Sequence, residues 1–303
     1  MSTKLKALSK KRTAEDDNDS NAPQAKKVQN KQRVLVLSSR GVTERYRHLM
    51  NDLQALLPHT KKDSKISSKT SLATLNELAD LASCNNIMFF ETKHHAQITD
   101  LYLWLAKAPN GPSVKFHLQN LHTMDELKMT GNCLKGSRGI LSFGEEFDSE
   151  PWLQLLKELF TQTFGVPTSS RRIKPFFDHV LSFSYLDGKI WFRSHQIVEK
   201  DATTIKAELG NKNKSPATTL VEIGPRFVLT PIRIFEGSFG GPTVFSNPEF
   251  LPPTKIRKME REEKAEKYSN RKDTQEESKQ RKKDISKRDR GLAGELETAK
   301  VFA

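Results

Sequence analysis

Apolar residues follow two different spacings along the first part of the chain, and the spacing separates a predicted strand from predicted helices. Residues 34–37 are consecutively apolar and lead into Ser-Ser-Arg-Gly, which predicts a buried strand followed by a turn. Apolar residues then recur at three- and four-residue steps over residues 42–57 and stop at Pro58, as in an amphipathic helix. The polar face of that helix carries Arg45, Arg47 and His48.

Further elements complete a first half of the chain. A second helix is predicted over residues 71–82, followed by a strand at 87–91. Two more strands, 100–107 and 113–119, flank a Pro-Asn-Gly-Pro sequence at 109–112 that predicts a hairpin.

After residue 131 a similar order of elements returns. A short strand is predicted at 139–143, and Asp148 or Ser149 is placed to cap a helix with Pro151 in its first turn. Gly165 ends that helix. Its apolar face is formed by Trp152, Leu155, Leu156, Leu159 and Phe160.

The second half closes with two pairs of apolar runs. Strands at 180–185 and 190–197 flank an Asp-Gly turn, and runs at 220–223 and 227–235 are joined through a turn at Gly224 and Pro225. A strand, a helix and aromatic-rich hairpins therefore occur in both halves, which favours an internal duplication. The alternative is an accidental similarity between two ordinary α/β segments.

Both ends of the chain differ from this pattern. Residues 1–32 have almost no large apolar side chains, so we expect disorder. Their basic clusters at 10–12 and 26–27 fit a bipartite nuclear import signal, or simply solvate the terminus. Residues 255–290 mix both charges without a broad apolar stripe. They predict a solvated single helix or disorder, or else a basic arm that orders against RNA or a partner protein.

Composition narrows the choice of partner. The 303-residue chain has a formal net charge of +13, which favours a polyanion such as nucleic acid or an acidic membrane surface. A soluble protein with basic tails remains the alternative. Cys84 and Cys133 follow no metal or redox spacing and are expected to be free thiols in a reducing compartment. Without a long apolar run or a signal peptide, the protein is expected to be soluble and intracellular.

The residues needed for catalysis are not arranged in any recognisable motif. His94 and His95 are adjacent rather than spaced as metal ligands, and neither cysteine has an evident base. The glycine-rich run at 237–242 lacks the Lys-Ser/Thr and the helix of a phosphate-binding loop, so it is interpreted as a flexible strand exit. We therefore expect no enzyme activity, no metal and no cofactor.

Basic residues in turn-rich segments are the better functional candidates. Loops after short strands let cations meet phosphates without burying charge, and such contacts position a protein on folded RNA without reading its sequence. Taken one at a time, each basic residue is most simply explained as a solvated Lys or Arg side chain. The candidates are Arg40, Arg45, Arg47, Lys61, Lys62, Lys65, Lys69, Lys135, Arg138, Arg171, Arg172, Lys174 and Arg226.

Six aromatic residues could stack on bases, but their place inside apolar strands favours core packing. They are Phe89, Phe90, Tyr102, Trp104, Trp191 and Phe192.

The chain also contains several longer motifs. They are Val-Leu-Val-Leu-Ser-Ser-Arg at 34–40, Leu-Tyr-Leu-Trp-Leu at 101–105, Gly-Pro-Ser-Val-Lys-Phe at 111–116, Lys-Met-Thr-Gly-Asn-Cys-Leu-Lys-Gly-Ser-Arg at 128–138, Lys-Ile-Trp-Phe-Arg at 189–193, and a signature segment at 220–242. Together these motifs resemble the Brix domain family of eukaryotic ribosome-assembly factors. The signature residues are Gly224, Pro225, Arg226, Phe227, Leu229, Ile232, Ile234 and Gly237.

Within the signature segment the side chains are expected to divide between core and surface. Phe227, Leu229, Ile232 and Ile234 should fill the core, and Arg226 should point outward to RNA.

The resemblance implies an α/β fold of two similar halves packed together, each similar to the anticodon-binding domain of some aminoacyl-tRNA synthetases. The implied division is a basic disordered tail at 1–32, a Brix domain at 33–242 with halves of about 33–131 and 138–242, and a charged, partly helical tail at 243–303. One departure is Gly139, where close relatives have a proline; its absence makes the turn that carries Arg138 less rigid.

The function implied by the resemblance is non-catalytic. A Brix-type factor is expected in the nucleolus, where it binds precursor ribosomal RNA and supports rRNA processing and assembly of the large (60S) subunit. Its implied partners are pre-60S proteins, with an Ebp2-type nucleolar protein among them. Two alternatives are a translation-side protein that binds tRNA, and a protein-only interaction module whose basic charge is incidental.

Overall fold

The computed structural model describes residues 32–67, 71–95, 98–127, 129–167, 174–199 and 218–295. Eleven strands are formed in these ranges: β1 (Val34–Ser38), β2 (Thr60–Lys62), β3 (Asn86–His95), β4 (Ile98–Lys107), β5 (Ser113–His122), β6 (Arg138–Phe143), β7 (Phe177–Leu186), β8 (Lys189–Glu199), β9 (Thr218–Glu222), β10 (Arg226–Phe235) and β11 (Thr243–Ser246). The α-helices of the same ranges are α1 (Glu44–Leu56), α2 (Thr74–Leu81), α3 (Pro151–Phe164) and α4 (Pro253–Glu295), and a 3-10 helix spans Glu145–Asp148.

All eleven strands belong to one continuous sheet. Its order is β2-β1-β3-β4-β5-β10-β8-β7-β6, with β9 added to β8 and β11 added to β10. Strand β10 is antiparallel both to β5 and to β8, so it joins the strands of the first half to those of the second.

The two halves repeat the same strand pattern. In the first, β1 is parallel to β3, and β4 and β5 follow in antiparallel order. In the second, β6 is parallel to β7, and β8 and β10 follow in antiparallel order. One long helix follows the first strand of each half, α1 after β1 and α3 after β6. The predicted α/β fold of two similar halves is confirmed, and the repeat supports a duplication.

The signature segment runs along the open edge of β8 and then crosses to the first half. Strand β9 pairs with residues 195–199 of β8, and the beginning of β10 pairs with residues 190–192. Between them Gly224 has φ +85°, a conformation that favours glycine. The two runs are thus successive parts of one edge, interrupted by the predicted turn.

Most of the apolar signature residues lie where they were expected. Phe227, Leu229 and Ile234 are buried in the main core. Ile232 is only half-buried, because the pairing of β10 with β5 shifts register between Pro231 and Arg233. The expectation that Ile232 fills the core was wrong.

Helices α1 and α3 cover one face of the sheet, which we call the two-helix face. Leu49 and Leu53 of α1 and Leu156 and Phe160 of α3 pack there into one apolar cluster. A row of rings crosses the cluster: Phe160 lies 4.8 Å from Phe183 between ring centroids, and Phe183 lies 5.2 Å from Phe192. The ring of Phe192 stacks on Phe227 of β10 at 4.5 Å. The aromatic core therefore extends from α3 to the strand that joins the halves.

Helix α2 covers part of the other face, which we call the one-helix face. Leu75 and Ala79 of α2 pack against Leu37 and Phe89 in a second, smaller cluster. Next to it the ammonium of Lys115 lies 2.8 Å from a carboxylate oxygen of Glu91 and 4.7 Å from the ring of Trp104. Burial alone would raise the pKa of Glu91, but the ammonium of Lys115 holds it below its ordinary value.

Two polar side chains of the first half bind the end of α3. The imidazole Nε2 of His59 donates to the carbonyl of Thr163 at 3.0 Å, and the amide of Asn86 donates to the carbonyl of Gln162 at 2.9 Å. The last carbonyls of a helix have no partner within the helix, so these bonds satisfy them. The two halves are thus linked by polar contacts as well as by β10.

The long helix α4 is attached near its start. The guanidinium of Arg257 forms a two-pronged ion pair with the buried carboxylate of Asp100 on β4, with contacts of 3.0 and 2.5 Å. Beyond it, residues 258–288 are almost entirely exposed. The sequence of residues 255–290 was compatible with a single helix or with disorder, and the structure shows a helix there. No helix among the described residues is both long and apolar enough to cross a membrane.

Two further sequence interpretations need correction. The N-cap position of helix α3 is occupied by Glu150 rather than by Asp148 or Ser149. The side chain of Glu150 makes no capping hydrogen bond. Asp148 instead belongs to the 3-10 helix and binds Lys157 at 2.6 Å, which removes it from the cap position. The short strand β2 was missed, because its three residues, Thr-Lys-Lys, carry no apolar signal.

The glycine-rich run at 237–242 is a hairpin loop rather than a flexible exit. It connects β10 to β11, which pairs back on β10. The hydroxyl of Ser113 donates to the carbonyl of Gly237 at 2.7 Å and accepts from the backbone of Phe239 at 2.9 Å. The ring of Phe239 also packs on Trp104 at 5.7 Å, so the loop is held in place.

Replacing Phe183 by alanine should lower the free energy of unfolding by about 3–5 kcal/mol, because the ring is buried and contacts four other phenylalanine rings. Phe176→Ala is the matched control, since that side chain is 59% exposed, and a change within about 0.5 kcal/mol is expected. Urea unfolding followed by circular dichroism gives both values. Equal losses in the two variants would contradict the aromatic row as the centre of the core.

His59 should make the stability of the fold depend on pH. Burial lowers its pKa to about 4, below the value of about 6.5 expected in the unfolded chain. Between pH 6.5 and 4 the unfolded state therefore binds more protons, so stability falls as the pH falls, by up to roughly 3 kcal/mol. His59→Gln keeps a donor for Thr163 but does not titrate, and its free energy of unfolding should fall less over the same range. Parallel curves for both proteins would refute this assignment.

Candidate nucleic-acid interface

The exposed cations of the first half gather where β1 ends. Arg40 lies in the turn after β1, and Lys65 lies in the loop after β2; both are exposed. The backbone N–H of Arg40 donates to the carbonyl of Ile66 at 2.9 Å, which fixes the two segments side by side. Arg47 is exposed on the first turns of α1, the helix that follows.

Arg45, another candidate of the same helix, is engaged within the protein. Its guanidinium contacts the carboxylate of Glu126 at 2.6 Å and also donates to the carbonyl of Leu121 at the end of β5. Burial alone would raise the pKa of Glu126, but the hydrogen bond from Arg45 holds this pKa below its ordinary value. Arg45 therefore ties α1 to the end of β5 and has less charge to offer a phosphate than Arg47 has.

Lys61 and Lys62 lie on the edge strand β2 and not in the loop where the sequence placed them. Their ammonium groups donate to the carbonyl of Ala82 at 2.5 Å and to the side chain of Asn51 at 3.1 Å. Both remain exposed. Lys69, Arg171 and Arg172 lie outside the described residues.

The second half contributes cations from the segments that precede β6 and β7. Lys135 and Lys174 are exposed, and the backbone N–H of Lys174 donates to the carbonyl of Gly136 at 2.8 Å. Arg138 is half-buried, with its guanidinium 5.8 Å from the centroid of the Phe177 ring. These residues form one surface at the beginning of the two parallel strands.

Gly139 has a specific packing role in this surface. A Cβ built there would lie 2.7 Å from the ring nitrogen Nε2 of the buried His179, so a larger residue requires the ring to move. The adjoining turn is held by hydrogen bonds: the hydroxyl of Ser137 donates to Asp178 at 2.8 Å, and the backbone of Arg138 donates to Phe176 at 2.9 Å. The loss of rigidity expected from the missing proline is therefore offset by local contacts.

The strand directions bring both sets of cations to the same end of the sheet. Strands β1, β5 and β8 run one way, and β6, β7 and β10 run the other way. The end of β1 and the beginnings of β6, β7 and β10 therefore lie along the same end of the sheet, with β1 and β6 near its opposite edges. We call this the cationic end; it carries Arg40, Lys65, Lys135, Arg138, Lys174 and Arg226.

A groove opens on the one-helix face where the two halves meet. It has a volume of about 190 Å³ and is lined by side chains and backbone of Asn120, His122, Trp191, Phe192, Arg193, Arg226, Phe227 and Val228. Glu222 is shared there by two guanidinium groups, with contacts of 3.1 Å to Arg226 and 3.8 Å to Arg193. We call it the junction groove. Arg226, expected to point outward, is half-buried and lines it.

Five of the six aromatic candidates are core residues, as the sequence favoured. Phe89, Phe90, Tyr102, Trp104 and Phe192 are all buried. Trp191 differs: it is half-buried, lines the junction groove and belongs to neither apolar cluster. Core packing was therefore the wrong expectation for Trp191.

The described residues contain no group of three or more His, Cys, Asp or Glu side chains placed to hold a metal ion. The imidazole of His94 instead hydrogen-bonds the hydroxyl of Thr99 at 3.0 Å. Cys84 and Cys133 are both free, and burial raises the pKa of each thiol, which disfavours the reactive thiolate.

In a comparison with protein families, a model of the Brix domain aligns with residues 39–233. That stretch is more than half of the chain. The chain belongs to the Brix domain family.

Known relatives of this Brix domain protein are similar over most of their length. The ribosome biogenesis protein brx1 of Schizosaccharomyces pombe is 56% identical over 244 residues, which cover 80% of this chain and 78% of that protein. The ribosome biogenesis protein BRX1 of Saccharomyces cerevisiae is 50% identical over 273 residues, or 89% of this chain and 90% of that protein. A human homolog is 47% identical, over 85% of this chain and 68% of that protein. The expectation of a ribosome biogenesis factor is confirmed.

Among solved structures, a probable ribosomal biogenesis protein from Aeropyrum pernix K1 covers 71% of this Brix chain at 14% identity with a TM-score of 0.42. This likeness is too weak to bear on function.

Sequence reasoning missed four residues of the junction groove, namely Asn120, His122, Arg193 and Val228. The alternation of apolar and polar residues in β8 could have identified the groove residues of that strand. Ile190 and Phe192 are apolar and buried, so Trp191 and Arg193 must face the other way. The positions of Asn120 and His122 could not be predicted in this way. They lie near Trp191 and Arg193 only because β10 pairs with both β5 and β8.

Proposed function

We propose that this Brix-family ribosome biogenesis factor binds precursor ribosomal RNA through its cationic end and acts without catalysis. The observation that carries the proposal is that exposed cations from both halves are distributed along one end of the sheet. Phosphates are the natural partners of such a surface, because each Lys or Arg contact releases condensed counterions.

The form of the surface favours contacts to the RNA backbone. Arg40, Lys65, Lys135 and Lys174 extend from turns and loops that are fixed by backbone hydrogen bonds. Long side chains on fixed loops can follow the shape of a folded RNA, and such contacts set orientation without selecting a sequence. The factor would hold one region of the RNA while neighbouring proteins assemble.

The remaining parts of the proposal follow from the family resemblance. The factor would act in large (60S) subunit assembly and rRNA processing, in the nucleus and nucleolus, beside pre-60S proteins and an Ebp2-type partner. The net charge of +13 is consistent with residence on an RNA-rich particle.

RNA crosslinking in cells, with reads assigned to all transcripts, tests the substrate directly. Reads should concentrate in one region of the large-subunit ribosomal RNA and its precursor spacers. Reads dominated by tRNA would instead support a translation-side protein, and scattered reads without enrichment would support a protein-only module. Either of those results refutes the proposal.

A charge-removal variant tests the cationic end itself. Replacing Arg40, Lys135 and Lys174 together by alanine should weaken binding to a structured rRNA fragment. It should also reduce the slope of log affinity against log salt by roughly 2–3, because each lost phosphate contact removes about 0.7–0.9. Fluorescence anisotropy at several salt concentrations gives both quantities.

The matched control removes three cations from the opposite end of the sheet. Arg33 precedes β1, Lys107 ends β4 and Lys189 begins β8, so the triple alanine variant has the same net charge as the test variant. It should retain most of the affinity and of the salt slope. Equal losses in the two triple variants would show that overall charge, rather than the cationic end, determines binding.

A further inference from the structure

We propose that the junction groove binds one unpaired nucleotide of the RNA, with its base stacked on Trp191 and its phosphate near Arg193 and Arg226. This inference rests on the proposed RNA binding and deepens it, since it assigns a base-binding position beside the cationic end.

A bulge between the two halves opens the groove. Arg226 of β10 pairs with His122 of β5, but Val228 pairs with Gln119, so two residues of β5 lie opposite Phe227 alone. Asn120, one of the two, has φ +48°, an uncommon conformation outside glycine. A bulge interrupts the ladder and re-aims side chains, and such bulges are frequent next to functional sites.

Trp191 lacks the contacts that hold the other two tryptophans. Trp104 packs between Phe235 and Phe239, and its indole N–H donates to Glu91 at 2.8 Å. Trp152 stacks on Phe245 at 4.2 Å, and its N–H donates to Glu150.

Among the described residues, Trp191 has neither a ring partner nor an acceptor for its N–H. Its sheet neighbours, Ser184 on β7 and Val228 on β10, are small. An indole in this position offers a stacking surface for a base.

The charges beside Trp191 favour an anion. Two guanidinium groups, Arg193 and Arg226, share the single carboxylate of Glu222, which leaves an excess of positive charge. The Nε of Arg226 and the Oε1 of Glu222 are buried and lack a hydrogen bond of good geometry. A phosphate oxygen would give the guanidinium groups a better acceptor.

The remaining groups of the groove suit the edge of a base, and its small volume limits how much of a ligand it can enclose. Asn120 and His122 line the groove, and their side chains make no hydrogen bond to other described residues, so both can hydrogen-bond a base edge. A volume of about 190 Å³ is below the range of drug-sized pockets, which begins near about 300 Å³. Because a base inside a duplex has both faces stacked, the groove requires a single-stranded or bulged nucleotide.

The test uses the full chain and single-stranded nine-nucleotide RNAs, each with a normal or an abasic central position. Trp191→Ala should weaken binding of the normal RNA roughly 5- to 150-fold, the range expected for one stacked base. Trp191→Phe should restore most of the affinity, which a folding defect would not allow. The abasic RNA should bind the unaltered protein weakly and should lose little more with Trp191→Ala.

Two further variants test whether the effect is specific to Trp191 and whether the arginines of the groove contact the RNA. Tyr268→Ala, an aromatic 71% exposed on α4, should bind normally. Glu222→Gln should tighten binding roughly 2- to 5-fold, because it frees both arginines from one modest ion pair.

The outcomes separate this inference from the function on which it rests. Unchanged affinity of Trp191→Ala, while the triple variant of the cationic end binds weakly, would overturn the nucleotide site and keep RNA binding. No RNA binding by the unaltered protein would overturn both. If Trp191→Ala left RNA affinity unchanged but released the protein from pre-ribosomal particles, a protein occupies the groove and the nucleotide site is refuted.

Discussion

Strand β10 determines how the two halves of the molecule are arranged. It is hydrogen-bonded to β8 of its own half near its beginning and to β5 of the first half along most of its length, so it joins the two halves into one sheet. The backbone groups of a strand between two neighbours are satisfied on both sides, which makes separation of the halves costly. The Phe192–Phe227 stack, at 4.5 Å, adds side-chain packing to the same junction.

The same junction creates the polar groove on the opposite side of the sheet. Successive residues of a strand face opposite sides, so the pairing that buries Phe192 and Phe227 places the half-buried Trp191 and Arg226 on the other face. The bulge at Asn120 then separates β5 from β10 just where these side chains emerge. The apolar packing that holds the halves together and the polar site proposed for RNA are therefore two faces of one set of strands.

The sequence was sufficient for the elements with strong periodicity. The apolar spacing of α1 and the Asp-Gly turn between β7 and β8 predicted those elements, and Asp187 and Gly188 have the positive φ values that such a turn requires. Strand β2 could not be predicted, because a polar strand of three residues is defined only by its partner β1. Trp191 was assigned to the core because a strand covered on one face cannot be distinguished locally from one covered on both.

The candidate site was predictable only as a list of cations. Sequence reasoning chose Arg40 and Lys135 correctly as exposed residues, but it could not show that a residue after β1 and a residue before β6 share one end of the sheet. It also could not show that Arg45 is occupied by Glu126, 81 residues away along the chain. Both facts depend on long-range pairing, which no local pattern contains.

The repeat of the strand pattern bears on how many basic surfaces the molecule presents. Because β5 and β10 are antiparallel, the pseudo-two-fold axis that relates the halves exchanges the two ends of the sheet. A faithful duplication would therefore present one basic surface at each end and bind RNA bivalently. Instead, the segment after β6 that corresponds to the turn of Arg40 carries Glu145, Glu146 and Asp148. The corresponding turns of the two halves have therefore diverged in charge, which suits the proposed function of holding RNA at one end of the sheet.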